Sequence, residues 1–202
     1  MEGSRGLGDV YKRQMEDHRV TTETIQVVLD LHEKGLTNVG TVLQGRLHRT
    51  PDDIGEVGEA IGPHADYRIC KGIYLEPEEI AYTTRTDIRN KTNDAIRMAL
   101  EHGAYVGIAS HDVPVVDYSL DVLKEFNMGP SIDDPRKNAG APRKGKGPGY
   151  EFQMLLGVRG PMRRRLTKQG HRTRVYIPYG EKWYEYSICL LYTSDAADDG
   201  LC

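Results

Sequence analysis

The stretch YRICKGIY, residues 67–74, constrains the fold more than any other segment of the chain. It is short and largely apolar, which is typical of a strand buried in a sheet. A helical pattern precedes it at residues 51–61, and another follows it at residues 87–102. A buried strand between two helices predicts a parallel sheet whose strands are joined by right-handed crossovers.

The same alternation extends to both sides of this stretch. Helices are predicted at 20–36, 51–61, 87–102, 115–126, 161–169 and 181–188, with Thr50 as the N-cap of the second. Strands are predicted at 39–47, 67–74, 104–110, 152–158 and 173–178. Five such strands fit either a doubly wound sheet or part of a (β/α)8 barrel. In both folds, functional groups collect at the carboxyl ends of the strands.

Composition excludes several classes of protein. The chain has 202 residues, of which 38% are hydrophobic and 28% charged, as expected for one globular domain. The net charge of -3 gives no general support for binding to nucleic acid or to an anionic membrane. The three cysteines, Cys70, Cys189 and Cys202, lack metal-ligand spacing, so neither a metal site nor a disulfide framework is predicted. We expect a reducing, intracellular setting.

Both ends of the chain resemble translated sequencing adapters. Residues 4–14 read as an in-frame translation of a common transposase adapter, and residues 189–198 read as its reverse complement. We therefore expect residues 1–14 and 189–202 to be non-native tails, and residues 15–188 to be the natural segment.

Each predicted strand has polar or charged residues on it or just after it. They are Gln44, Arg68, Lys71, Tyr74, His111, Asp112, Glu151, Gln153, Tyr176 and Tyr179. An arginine within an apolar strand, as at Arg68, needs a partner, and a bound anion or the edge of an electron-rich cofactor would supply one. These positions predict a ligand site at one edge of the sheet.

Four motifs in this order resemble those of the proline dehydrogenase family. They are RICKGIYLE at 68–76, ASHD at 109–112, YEFQML at 150–155 and RVYIPYG at 174–180. The resemblance covers residues 15–188, with MED at 15–17 included and an exposed loop at 127–150 excepted. It implies an α/β fold of the (β/α)8 barrel type, of which this chain holds about the last five strand–helix units.

The resemblance also implies an activity. Members of this family use FAD to oxidise L-proline to Δ1-pyrroline-5-carboxylate, the first step of proline catabolism, with hydride transfer to flavin N5. A membrane quinone usually reoxidises the flavin. The expected location is therefore the cytoplasm, with peripheral contact at the inner face of the membrane, and no nucleic acid is expected as a partner.

The resemblance assigns roles to particular positions. Arg68 would lie beside flavin N5, and Arg68 and Tyr176 are the predicted catalytic residues. The predicted cofactor-binding residues are Gln44, Arg68, Lys71, Gly72, Ile73, His111 and Gln153. The predicted wall of the proline pocket is Tyr74, Leu155, Tyr176 and Tyr186.

Some positions depart from the family pattern. Two adjacent arginines that bind the substrate carboxylate would fall at Cys189 and Leu190, and a family aspartate would fall at Gln14. Residues 163–165 are all arginine but are expected to form a solvated helix face instead. The early strand that carries the active-site lysine is not matched. We therefore expect no measurable proline oxidation by this chain as written.

Two other functions remain open from the sequence. One is a different flavin barrel, such as a methylenetetrahydrofolate reductase, although the 68–74 motif and the strand around Tyr176 favour proline dehydrogenase. The other is a non-catalytic domain that binds phosphate or RNA through the basic stretch at 136–146. A salt-dependent affinity for RNA would distinguish this second alternative.

Overall fold

The structure is a computed structural model that describes residues 11–13, 17–130, 132–140, 149–177 and 180. Its strands are β1 (Tyr11–Arg13), β2 (Val39–Gln44), β3 (Asp66–Cys70), β4 (Tyr105–Ala109), β5 (Tyr150–Leu155) and β6 (Thr173–Tyr176). Its helices are α1 (Thr21–Glu33), α2 (Thr50–Ile61), α3 (Arg85–Glu101), α4 (Val113–Glu125) and α5 (Gly160–Lys168). Short 3-10 helices lie at His18–Val20 and Gly62–His64.

The described strands are all parallel, and they pair in chain order from β1 to β6. A doubly wound sheet reverses its strand order at a switch point and carries helices on both faces. A constant order with right-handed crossovers instead places the connecting helices on one face. The expected partial barrel is therefore confirmed, and the doubly wound alternative is excluded.

The two faces of the sheet carry different side chains, because successive residues of a strand point to opposite sides. The helix-facing side buries large apolar and aromatic residues: Leu43, Tyr67, Ile69, Val106, Ile108, Tyr150, Phe152 and Met154. The register places polar residues of β3, β4 and β5 together on the opposite, inner face: Asp66, Arg68, Tyr105, Glu151 and Gln153. The hydrophobic core thus lies between the sheet and its helices.

Three predicted strands end three or more residues away from their ends in the structure, and the strands at 104–110 and 173–178 differ by one or two residues. Strand β2 ends at Gln44 rather than at residue 47, because the N–H of Leu47 turns back to the carbonyl oxygen of Gln44 at 3.1 Å. Strand β3 ends at Cys70 rather than at residue 74, since Gly72 has a φ of 98°. Strand β5 covers 150–155 rather than 152–158, so Tyr150 and Glu151 belong to the sheet.

The start of α2 also differs from its prediction. Thr50 is not the N-cap; it is the first helical residue, and Arg49 precedes it without a side-chain cap. The Thr50 hydroxyl donates instead to the carbonyl oxygen of Gln44 at 2.5 Å. This buried bond ties the beginning of α2 to the end of β2.

The described part of the predicted loop at 127–150 contacts the end of α3 through two side chains. The Arg136 side chain is 6% exposed and pairs with Asp134, and it donates to the carbonyl oxygen of Leu100 at 2.7 Å. Asn138 donates to the carbonyl oxygen of Glu101 at 2.7 Å. Both acceptors are carbonyl groups of the last turn of α3. These bonds attach the described part of the loop to α3, but most of residues 132–140 are exposed, so the exposed loop stays a prediction.

The predicted tails lie mostly outside the described residues. So do the predicted helix at 181–188 and the basic residues at 142–146. Strand β1 falls within the 1–14 segment, where Lys12 forms an ion pair with Asp66. The adapter origin of both ends stays a prediction. In the described ranges, no helix combines the length and the apolar character needed to cross a membrane.

Candidate active site

Glu151 is the centre of a hydrogen-bonded group on the inner face. Its side chain is 1% exposed, and Arg174 donates to its two oxygens at 2.6 and 2.8 Å. The Tyr105 hydroxyl donates to it at 3.0 Å, and the Arg172 guanidinium lies 3.7 Å away. Hydrogen bonding to Glu151 raises the pKa of Arg174. The buried carboxylate is therefore paired with a guanidinium, as a buried charge requires.

Arg68 is joined to Glu151 through the side-chain amide of Gln153. The Gln153 Nε2 donates to Glu151 Oε1 at 2.7 Å, and the Arg68 Nε donates to Gln153 Oε1 at 2.9 Å. In the part of the chain that the structure describes, Arg68 has no carboxylate partner, and its two terminal nitrogens bind no protein atom. The half-buried guanidinium can therefore donate to a ligand with both of them.

Lys71 follows β3 and forms an ion pair with Asp112, with Nζ at 2.5 Å from Oδ2. Arg89, on α3, donates to the same carboxylate at 2.9 and 3.3 Å. Burial alone would raise the pKa of Asp112, but the hydrogen bonds from Arg89 and Lys71 outweigh it and hold that pKa below its usual value. Arg89 was not predicted, because nothing in its local sequence marks it as a partner of Asp112.

His111 follows β4 and is 7% exposed. The backbone N–H of Leu155, at the end of β5, donates to His111 Nε2 at 2.9 Å. A ring nitrogen that accepts carries no proton, so the neutral imidazole has its proton on Nδ1. His111 is therefore oriented by the neighbouring strand, and Nδ1 is the ring nitrogen that can donate.

The turn after β3 is held by an arginine that was not predicted. Arg46 is 8% exposed, and its backbone N–H donates to the carbonyl oxygen of Lys71 at 3.1 Å. Its guanidinium donates to the carbonyl oxygen of Tyr74. Burial lowers the pKa of Arg46. Any side chain at Gly72 would meet Gln44 Oε1 and Arg46 Cδ. The backbone at Gly72 therefore passes directly over the end of β2.

The predicted cofactor-binding residues lie close to one another. Gln44, Lys71, Gly72, Ile73 and His111 are at the carboxyl ends of β2, β3 and β4 or just after them, and Arg68 and Gln153 are on β3 and β5. Glu151 lies nearer the amino end of β5, below these residues rather than at the edge.

The predicted wall of the substrate pocket is only partly described. Leu155 and Tyr176 end β5 and β6 and are partners in the sheet register. Tyr176 is 51% exposed. Tyr74 stands after β3, on the other side of β4 from both of them. Tyr186 and Tyr179 lie outside the described residues, so their positions stay predictions.

Comparison with known proteins relates this arrangement to a family. Proline dehydrogenase 2 of Bacillus subtilis (strain 168) is 34% identical over 172 residues, which is 85% of this chain and 50% of that protein. The proline dehydrogenase of Deinococcus radiodurans is 35% identical over 175 residues, 85% of this chain and 49% of that protein. The chain thus spans about half the length of the curated relatives that it matches.

Solved structures support the fold. Proline utilization A (PutA) from Bdellovibrio bacteriovorus, inactivated by N-propargylglycine, superposes with a TM-score of 0.74 at 22% identity over 92% of this chain and 20% of that one. A mutant PutA of Bradyrhizobium japonicum gives a TM-score of 0.69 at 16% identity, over 93% and 20%. A family model described as proline dehydrogenase matches residues 12–183. Because that match covers most of the sequence, this chain belongs to the proline dehydrogenase family.

Proposed function

We propose that this chain forms the flavin-facing part of the active site of an enzyme that oxidises L-proline to Δ1-pyrroline-5-carboxylate. The observation that carries the proposal is the Arg68 guanidinium, whose terminal nitrogens bind no protein atom in the described ranges. The cofactor would be FAD, which supplies the hydride acceptor when it is bound.

The residues at the carboxyl ends of the strands fit a flavin. The isoalloxazine ring has nitrogen and oxygen acceptors, and Arg68 can supply hydrogen-bond donors to them. Gly72 lets the backbone after β3 pass against Gln44 and Arg46, because a side chain there would meet both residues. A guanidinium stays charged in proteins, so Arg68 would act as a fixed positive charge and not as a proton acceptor.

Other residues would orient the same group. His111 would donate to it from Nδ1, because the Leu155 N–H occupies Nε2. Gln44 and Gln153 would add amide hydrogen bonds, and Lys71 and Ile73 would line the cofactor beside Gly72. These roles come from the family resemblance and agree with the position of each residue in the sheet.

The substrate pocket would be apolar and aromatic. Leu155 and Tyr176 would form one wall, with Tyr74 and Tyr186 completing it, and such a wall suits a small aliphatic ring. Tyr176 would be catalytic in the sense that it touches the substrate. A quinone as electron acceptor, with peripheral contact at the inner face of the membrane, is proposed from the family resemblance alone.

The cofactor proposal is tested by titrating FAD into the 202-residue chain and following flavin fluorescence. Saturable binding is expected, and Arg68→Met should raise the Kd about tenfold or more, because a hydrogen bond to a charged group contributes about 1.5–3 kcal/mol. Arg164→Met is the matched control, since Arg164 is exposed on α5. Equal affinities of the two variants, or no binding at all, would contradict the proposal.

The substrate proposal needs the full-length parent protein. L-proline should reduce an artificial electron acceptor in the presence of FAD, and D-proline should not. Full-length protein that binds FAD but reduces no acceptor with L-proline would show that the substrate is misassigned.

A further inference from the structure

A series of hydrogen bonds on the inner face leads to Arg68. We call the four residues that it joins the inner-face relay: Arg174, Glu151, Gln153 and Arg68. The successive donor–acceptor distances are 2.6, 2.7 and 2.9 Å. An ionised carboxylate can only accept hydrogen bonds, so Glu151 requires the NH2 group of Gln153. The amide oxygen of Gln153 must then point toward Arg68. Arg68 has only donors and requires that oxygen, so Glu151 and Arg68 hold the amide in the same orientation from its two ends.

The relay also controls charge. Glu151 is compensated by the bidentate bond from Arg174, and the group between Glu151 and Arg68 is a neutral amide. A carboxylate in the place of Gln153 would pair with Arg68 directly and would occupy the fork of donors that a ligand needs. The neutral spacer holds Arg68 in position and leaves its charge uncompensated.

The relay depends on a glycine in the strand that it crosses. In the sheet register, Gly107 of β4 lies between Arg68 and Glu151. A Cβ at Gly107 would come within 2.5 Å of Gln153 Nε2 and 3.0 Å of its side-chain amide carbon. A glycine inside a strand often marks such a close approach. Gln153, on β5, reaches Arg68, on β3, because Gly107 leaves this gap.

We propose that Glu151 and Gly107 are positioning residues for Arg68: Glu151 anchors the Gln153 amide to which Arg68 donates, and Gly107 gives that amide its path across β4. Neither residue needs to touch the flavin or the substrate. The functional consequence rests on the flavin-facing role proposed for Arg68, whereas the orientation of Arg68 itself can be measured without any ligand.

The test follows the Arg68 Nε–H of the ¹⁵N-labelled 202-residue chain by NMR, without FAD. Slow hydrogen exchange is expected for this group in the parent chain. Glu151→Gln replaces the charge-assisted bond from Gln153 by a weaker neutral one, and Gly107→Ala displaces the Gln153 amide. Each should accelerate the exchange about tenfold or more, as loss of a charge-assisted bond predicts. Tyr105→Phe removes a bond to Glu151 outside the relay and should leave the exchange rate unchanged.

Each outcome of this test bears on the relay, on the flavin assignment or on the positioning role. If Glu151→Gln fails to fold, Gly107→Ala decides the question, because it adds a single methyl group. Unchanged exchange in Gly107→Ala, or equal acceleration in Tyr105→Phe, would overturn the relay.

The expected exchange pattern in a chain that binds no FAD would support the relay and overturn the flavin assignment. If FAD binds, a weaker affinity is expected in Gly107→Ala, and an unchanged affinity despite faster exchange would overturn the positioning role.

Discussion

The two faces of this sheet are stabilised in different ways, although the same strands supply both. Phe152 and Gln153 are neighbours in β5, yet Phe152 is fully buried against the helices while Gln153 bridges Arg68 and Glu151. Apolar contact depends mainly on area and shape, so many partners can satisfy Phe152. The polar inner face depends on specific partners at specific distances. Stability should therefore come chiefly from one face, and function from the other.

The largest effect is expected from truncating the helix-facing residue of this pair. Phe152→Ala should lower the free energy of unfolding by about 3–5 kcal/mol, since it removes a fully buried ring and leaves a cavity. Chemical denaturation followed by circular dichroism would measure it.

Its matched comparison is Gln153→Ala, one position further along the strand. This change removes the hydrogen bonds to Arg68 and Glu151, and water can replace the one to the half-buried Arg68. The cost should therefore be that of about one charge-assisted bond, about 1.5–3 kcal/mol. The substitution should also weaken FAD binding more than its effect on stability suggests. Equal destabilisation by the two substitutions would break the proposed division between the faces.

This division explains why the sequence predicts the fold better than the site. The helix-facing side appears in the sequence as short apolar runs, such as the one at residues 104–110, and their alternation with helices indicated the parallel sheet. The choice between barrel and doubly wound sheet needed the strand order, which local patterns do not contain. The ends of β2 and β3 were also missed, since Leu47 and Ile73 continue the apolar pattern beyond the last paired residue.

The site could be predicted only where a motif marked it. Arg68, Lys71, His111 and Gln153 were identified by resemblance, and the structure places them on or just beyond neighbouring strands. Their partners could not be identified in the same way. Arg89, for example, reaches Asp112 from 23 positions earlier in the chain, on a helix with no recognisable motif. Such pairs follow from tertiary packing, which no local pattern records.

A second test concerns the ion pairs at the carboxyl edge. Asp112→Asn should lower the free energy of unfolding by about 1.5–3 kcal/mol at neutral pH, because hydrogen bonds from Lys71 and Arg89 to a buried carboxylate are weakened. Asp94→Asn is the control: its pair with Lys91 is on the surface, and such pairs contribute about 0–1 kcal/mol.

The stability difference between the parent chain and Asp112→Asn should depend on pH. The pKa of Asp112 in the folded chain is below its ordinary value of 3.8. The ionised carboxylate therefore stabilises the fold fully above the unfolded pKa, and this stabilisation is lost as the pH falls through the folded pKa. The difference in stability between the parent chain and Asp112→Asn should therefore shrink below about pH 3.8. A difference that grows on acidification would contradict the assigned pairing.

A third, smaller effect is expected where α2 meets β2. Thr50→Val keeps the shape of the side chain but removes the bond to the Gln44 carbonyl oxygen, so it should cost about 1 kcal/mol. Thr86→Val, at an exposed position of α3, should change stability by less than about 0.5 kcal/mol. If Thr50 were an ordinary surface residue, the two substitutions would be indistinguishable in a denaturation experiment.

The smallest expected effect comes from a polar pair on the apolar face. The His171 ring lies edge-on to Phe152, with centroids 5.6 Å apart, and its Nδ1 is 2.8 Å from the Tyr150 hydroxyl. Burial lowers the pKa of His171 below its ordinary 6.5, because the charged ring is poorly solvated there. As the pH falls, the His171 imidazole is therefore protonated at a higher pH in the unfolded chain than in the folded chain. The free energy of unfolding should decline as the pH falls below about 6.5. His171→Gln removes the titrating group, so the stability of the parent chain relative to this variant should fall between pH 7 and pH 5. Parallel curves for the two proteins over that range would mean that His171 is as well solvated in the folded chain as in the unfolded one, and that even this edge of the helix-facing side is open to water.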